Sequence, residues 1–231
     1  MRIAPLAVVA LALPATALAD PGADEVVAKV QGYYKKVDHL KGTFRQEVSN
    51  ATFATTKKSH GTVELARPNK VRLDYANTTG TGVKRSLRSD GKHLWDVEHD
   101  NLEILGKELG RDPVPVAVGV LLGTAELGKD FSPSLSTSSG FGDAGSTVLQ
   151  LESRTHSAPW KQLYLVVDPG DGHIRETVVI DSGGNVNHFF LDKLDPKAAV
   201  KDSDFIVDVE SKELRKYKVV DIAAQKPRTD K

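Results

Sequence analysis

Apolar positions recur along this chain with two different periods. From Asp24 to about Lys41, Val26, Val27, Val30, Tyr33, Tyr34, Val37 and Leu40 follow at spacings of three and four, with charged and polar residues between them. That period predicts an amphipathic helix laid on a greasy surface. Beyond it the period drops to two. Thr43–Ser49, Thr62–Arg67, Lys70–Tyr75, Val83–Ser89, His93–Val97, Val148–Leu151, Leu163–Val167, Ile174–Ile180 and Val186–Leu191 read as short strands rich in Val, Leu, Phe and Tyr. Turn signals separate them: Arg67-Pro68-Asn69, Asp90-Gly91, Asp168-Pro169-Gly170-Asp171-Gly172 and Ser182-Gly183-Gly184-Asn185. Strands joined by tight turns are antiparallel neighbours, because a parallel crossover needs about a dozen residues or more. The expected architecture is mainly β (α+β), a meander forming a single long curved antiparallel sheet.

Two features interrupt that pattern. Residues 113–128 (PVPVAVGVLLGTAELG) predict a second helix, with Pro near its start and Gly128 near its end. It is apolar nearly all round, so it must be buried against the sheet or against something the protein carries. The other is Arg67. In the hairpin 61–75, Val63, Leu65, Val71, Leu73 and Tyr75 line one apolar face, Thr62, Glu64, Lys70, Arg72 and Asp74 the other. Arg67 stands at the end of the apolar set. After Asp204-Phe205-Ile206-Val207 the chain turns polar, and the terminal KPRTDK is expected to fray.

Residues 1–19 stand apart. One cation, Arg2, precedes an apolar run from Ile3 to Ala15 and an Ala17-Leu18-Ala19 exit. This is the pattern of a secretory signal peptide cleaved after Ala19, too short and Pro-interrupted to span a bilayer. Residues 20–231 are then expected to form a single exported domain. The chain contains no cysteine, which excludes a lipid-anchored lipoprotein, disulfides and thiolate chemistry. It balances 31 basic against 31 acidic residues, and removing Arg2 with the signal leaves a net charge of −1. No basic excess points to a nucleic-acid surface, so no nucleic-acid partner is expected.

Candidate chemistry is sparse. GFGDAG at 140–145 formally fits G-x-G-x-x-G, but a Ser/Thr-rich loop precedes it and the strand Val148–Leu151 follows. The dinucleotide fingerprint needs the reverse order, strand before and helix after, so a hairpin loop is the reading. His93 and His99 flank Trp95 with Glu98 and Asp100 nearby, yet no second ligand pair stands at a usual spacing. The Asp168–Asp171 turn lacks the full calcium-loop pattern. No G-x-S-x-G elbow is present. Neither a metal, a cofactor nor a catalytic residue is expected, and the chain reads as a container rather than an enzyme. A hydrolase built on converging acids or on the His93/His99 region is the competing class.

The phrase Gly61…Leu65-Ala66-Arg67-Pro68-Asn69-Lys70-Val71-Arg72-Leu73-Asp74-Tyr75, followed by Ser89-Asp90-Gly91-Lys92-His93-Leu94-Trp95, resembles the LolA-type periplasmic lipoprotein carriers. Phe44-Arg45-Gln46, Val116 to Gly123 before Phe131, Phe189-Phe190 and a late Phe205 occur in the same order. The resemblance implies a half-open β-barrel with an N-terminal helix and a short central helical lid over a hydrophobic cavity. It implies a monomeric carrier of acylated lipoproteins, loaded by an inner-membrane lipoprotein-releasing ABC transporter and unloaded at an outer-membrane lipoprotein receptor. It also implies that Arg67 latches the lid by hydrogen bonds to helix backbone. A guanidinium suits that role, with five donors in a rigid fork and a permanent charge, whereas helix C-terminal carbonyls lack intrahelical partners. Alternatively Arg67 snorkels from the hairpin end into water. By parity Phe44, Val48, Val63, Leu65, Val71, Leu73, Tyr75 and Trp95 are expected to face the cavity, with Leu121 and Leu122 facing it from the lid. The same residues would also suit a solid core. Sheltering an acyl chain of about 14 methylenes is worth on the order of 11 kcal/mol, which is why such a chain needs a carrier in water. Two departures from the family pattern stand out. Aromatics make up only 6% of the chain, which leaves room for a different lipid, free or glycosylated, or for a lipid sensor. Val207-Asp208-Val209-Glu210 replaces the family's Pro-Gly ending, so the last strand is open to a different pairing.

Overall fold

The computed structural model describes residues 22–109, 116–121, 126–137, 140–154 and 160–221. The expected signal segment 1–19, Leu122 and the final KPRTDK lie outside these residues. Helix α1 spans Ala23–Lys35 and buries Val26, Val27, Val30 and Tyr34 along one stripe, as its period requires. The same spacing runs on to Leu40, yet β1 (His39–Asn50) has already begun. Sheet pairing overrides the local period there: Leu40 lies opposite Leu65, and the Asp38 carbonyl accepts the N–H of Arg67 at 3.0 Å.

The strands that follow are β2 (Thr55–Ala66), β3 (Lys70–Ala76), β4 (Val83–Asp90), β5 (His93–Glu98) and β6 (Glu103–Glu108). Two short helices, α2 (Val116–Leu121) and α3 (Leu127–Asp130), stand where one longer helix is predicted. Then come β7 (Phe131–Leu135), β8 (Thr147–Ser153), β9 (Trp160–Val167), β10 (Ile174–Asp181), β11 (Val186–Asp195), a 3-10 turn at Asp202–Phe205, and β12 (Lys218–Asp221). All twelve strands form one sheet in the order β12-β6-β5-β4-β3-β2-β1-β11-β10-β9-β8-β7. Two meanders, β1–β6 and β7–β11, are joined where β1 pairs with β11, and the outermost strands do not meet. The result is a curved, unclosed sheet with helices, an open half-barrel.

The last strand departs from the antiparallel pattern. β12 runs parallel to β6, with Val219 opposite Ile104. Residues 196–217 reach it over the convex side of β3–β6, where Phe205 is fully buried and Lys70 pairs with Asp202 at 2.7 Å. β7 escapes the sequence pattern because Pro133 interrupts it, an acceptable residue on an edge strand.

The GFGDAG segment lies in the loop joining β7 to β8, as read from its flanks. Its Phe141 ring packs on Tyr164 and His188, capping a small apolar cluster of Val148, Tyr164, Val166 and Val178 on the convex side. The main core lies on the concave side. It joins the buried stripe of α1 with Leu40, Phe44, Val63, Leu65, Val71, Leu73 and Tyr75 from one meander and Leu149, Leu151, Leu163, Leu165 and Ile174 from the other.

Candidate functional site

The apolar floor of the concave face is set by register. Gly42, Val63 and Leu73 lie in one row across β1, β2 and β3, while Leu40, Leu65 and Val71 lie in the next. A third row holds Phe44, Gly61 and Tyr75, and Gly61 is a seat for an aromatic ring. A Cβ there would stand 1.9 Å from the Asp74 carbonyl oxygen and 3.1 Å from the Phe44 ring. Phe44 in turn meets Tyr75 edge to face at 5.0 Å and Phe189 at 5.5 Å. Burial raises the pKa of Tyr75, against the lowering effect of nearby Arg85.

Seven of the residues predicted to line the trough therefore share one surface: Phe44, Val63, Leu65, Val71, Leu73 and Tyr75 are buried in it, and Val48 extends it toward the end of β1. Exposure rises steeply along the strand, from 1% at Phe44 to 39% at Val48, and Val83 on β4 reaches 40% at the same end. Leu121 of α2 is buried against the same cluster. Leu122 lies outside the described residues. Trp95 is on the other face. Leu87 stands opposite Asp96, so the concave positions of β5 are Leu94 and Asp96, and the indole between them turns to the convex side. There it covers Gly106, where a Cβ would come within 2.0 Å of the ring.

Arg67 sits at the opposite, closed end. Its guanidinium donates from Nη2 to the main-chain carbonyl of Tyr34, in the last turn of α1. The arginine therefore reaches a helix C-terminal carbonyl, and that carbonyl belongs to α1. Leu65 and Leu121 line a small void beside the guanidinium with Val37 and Leu40. Arg67 Nε is buried without a partner among the described residues.

Tyr34 is the residue that sequence reasoning misses. Its hydroxyl accepts the N–H of Ile174 at 3.1 Å, while its carbonyl takes the guanidinium of Arg67. Burial pushes its phenol pKa far up, so the hydroxyl stays neutral. Lys29 Nζ adds a third tie by donating to the Pro169 carbonyl. Helix α1 thus bridges the two meanders, fastened to the β9–β10 end on one side and to the β2–β3 turn on the other. The helical period shows Tyr34 to be apolar-facing; only the fold reveals its two polar contacts.

The other candidate chemistry resolves into turns. His93 Nδ1 lies 3.2 Å from Asp90, whose carboxylate also caps the N–H groups of Lys92 and His93. His99 pairs instead with the Tyr217 hydroxyl at 2.9 Å. Asp168, Asp171 and His173 bring their ligand atoms within 4.8 Å of one another. Asp168 accepts the N–H of Gly170, and Asp171 accepts that of His173, which is hairpin-turn bonding.

An outer-membrane lipoprotein carrier protein of Methylibium petroleiphilum is 29% identical over 111 residues, covering 46% of this chain and 50% of that one. Another, from Leptothrix cholodnii, is 27% identical over 108 residues, covering 46% and 48%. This chain thus spans about half the length of the curated relatives it matches. The crystal structure of an uncharacterized conserved protein from Thermus thermophilus shares the fold, with a TM-score of 0.51 at 10% identity over 86% of this chain and 98% of that one. Residues 35–208, well over half the chain, match the profile described as outer membrane lipoprotein carrier protein LolA, and the chain belongs to that family.

Proposed function

We propose that this protein is a periplasmic chaperone that binds the acyl chains of lipoproteins on its concave apolar surface and shuttles them from the inner to the outer membrane. The observation that carries this reading is the state of α1. It lies on the apolar face of an unclosed sheet and is fastened by a few polar contacts, with Arg67 bonded to its C-terminal carbonyl. An acyl chain and the buried stripe of α1 would compete for the same floor, so release needs no separate machinery beyond the helix settling back. Sheltering about 14 methylenes at about 0.8 kcal/mol each is comparable with the burial of Val26, Val27, Val30 and Tyr34 at about 1.5–3 kcal/mol each plus polar bonds of about 1–3 kcal/mol, so helix and cargo are closely matched competitors. In this reading residues 1–19 are the export signal. The monomeric carrier takes cargo from a lipoprotein-releasing ABC transporter and yields it to an outer-membrane receptor.

The test is a depletion strain of the source organism in which lipoprotein location is followed by membrane fractionation. Accumulation of outer-membrane lipoproteins in the inner membrane is expected. Unchanged sorting, with only free lipid or glycolipid recovered on protein purified from the periplasm, would replace this reading with a carrier or sensor of free lipids.

A further inference from the structure

The open end of the concave face is rimmed by charge. Tyr75 lies opposite Arg85 in the β3–β4 pairing, and Arg85 lies opposite Glu98 in the β4–β5 pairing, so all three share the concave side. Arg85 donates from Nε and Nη2 to the two carboxylate oxygens of Asp96, at 2.7 and 2.5 Å, and its Nε lies 3.0 Å from Glu98. The guanidinium also stands over the Tyr75 ring, 5.4 Å from its centroid. Four contacts therefore hold one cation in a fixed orientation, half-exposed, while Nη1 keeps both its N–H groups without a protein partner among the described residues.

That position matters because the floor changes character there. Toward Arg67 the concave residues are buried hydrocarbon. At this end Val48 stands open on β1, and the group that continues the row of Phe44, Gly61 and Tyr75 onto β4 is the anchored guanidinium. An apolar surface ending at oriented donors matches an amphiphile whose chains end at hydrogen-bond acceptors. A plain hydrocarbon would make no use of those donors and leave them to water.

Resting on the carrier reading, we propose that Arg85, held by Asp96 and Glu98, is a head-group subsite that donates hydrogen bonds to the glyceryl ester carbonyls of bound cargo. Acyl chains lie along the floor beyond Tyr75, and the head leaves the trough at the end where Val48 is exposed. The acceptors are the esters themselves, so a diacylglyceryl-cysteinyl peptide and a phospholipid present the same chemistry.

The experiment measures binding of three probes to the mature chain. They are a synthetic dipalmitoylglyceryl-cysteinyl peptide, a monomeric phosphatidylglycerol with the same two esters, and diphenylhexatriene, which has no polar head. Arg85→Leu is expected to weaken both ester probes about ten-fold, about 1.4 kcal/mol, and to leave diphenylhexatriene unchanged. Arg85→Lys, which keeps the charge but loses the fork, should recover part of the loss. Should the leucine variant not fold, the lysine variant carries the test, with ester binding weakened and diphenylhexatriene binding retained. Equal loss of all three probes would make Arg85 merely structural, and no loss of ester binding would remove the subsite; either result overturns the proposal. Failure of the unaltered protein to bind the lipopeptide at all would instead overturn the carrier reading beneath it.

Discussion

Arg67→Leu tests whether the closed state is held by the bond to α1. The substitution removes a charged donor from the Tyr34 carbonyl, an interaction worth about 1.5–3 kcal/mol. The lower end applies, because that carbonyl also receives the N–H of Val37 at 3.3 Å and is not left bare. A leucine fits beside Leu65 and Leu121 in the void that the guanidinium borders, so the sheet should stay intact. It also removes the unpartnered Nε, a small stabilising offset. A net loss of about 1.4 kcal/mol confined to the closed state is a ten-fold rise in the open population. Native-state hydrogen exchange reads this directly: α1 amides should exchange about ten-fold faster while those of β9 and β10 do not change. A diacyl lipopeptide should bind more tightly by up to the same factor and leave more slowly. If α1 protection and lipopeptide binding both match the unaltered protein, the guanidinium is not a latch. If α1 and the sheet lose protection together, Arg67 serves stability alone.

Other consequences follow from single residues. Gly61→Ala places a Cβ 1.9 Å from the Asp74 carbonyl beneath the Phe44 ring. It should cost about 1–3 kcal/mol, read as a lower midpoint in urea, and an unchanged midpoint would refute the seat. Phe205→Ala empties a fully buried site on the convex side, with an expected loss of about 3–5 kcal/mol. Limited proteolysis should then cut first within residues 196–217, whereas a first cut in the sheet would count against that segment being a separately anchored layer. The Asp90 carboxyl is opposed by burial, yet the N–H groups of His93 and Lys92 and the ring of His93 hold its pKa below the ordinary carboxylate range. Its stabilisation is therefore present above the unfolded-state pKa of about 4 and is lost as the pH falls through the depressed folded value. Asp90→Asn should lower the melting temperature near neutrality and flatten its fall in acid, and parallel pH profiles for the two proteins would refute this.

Much of this protein is legible in local pattern. Alternating residues mark nine strands because a half-buried strand must put every second side chain in hydrocarbon. The turns are visible because Pro68-Asn69 and Asp90-Gly91 carry the backbone chemistry that turns need. Asn69 and Gly91 both adopt positive φ, 56° and 93°. Parity across one turn also places Val63, Leu65, Val71, Leu73 and Tyr75 on a common face, since the hairpin register leaves no alternative. The boundary between α1 and β1 is less visible: Leu40 obeys the helical period, but a partner residue 25 positions away, Leu65, decides its state.

Tertiary structure decided what depends on distant partners. Parity counted along the sequence puts Trp95 among the lining residues, yet the register of β5 sends it to the convex side, because a one-residue step reverses the face. β12 became parallel because the chain crosses the convex surface before pairing, and its four residues carry no mark of direction. An arginine at the end of an apolar row signals a polar partner without saying which. That the partner is the carbonyl of Tyr34, 33 residues earlier, follows from how the sheet curves and where α1 comes to rest. Side-chain periodicity records the environment of each residue, whereas the meeting of two remote groups is set by the path of the whole chain between them.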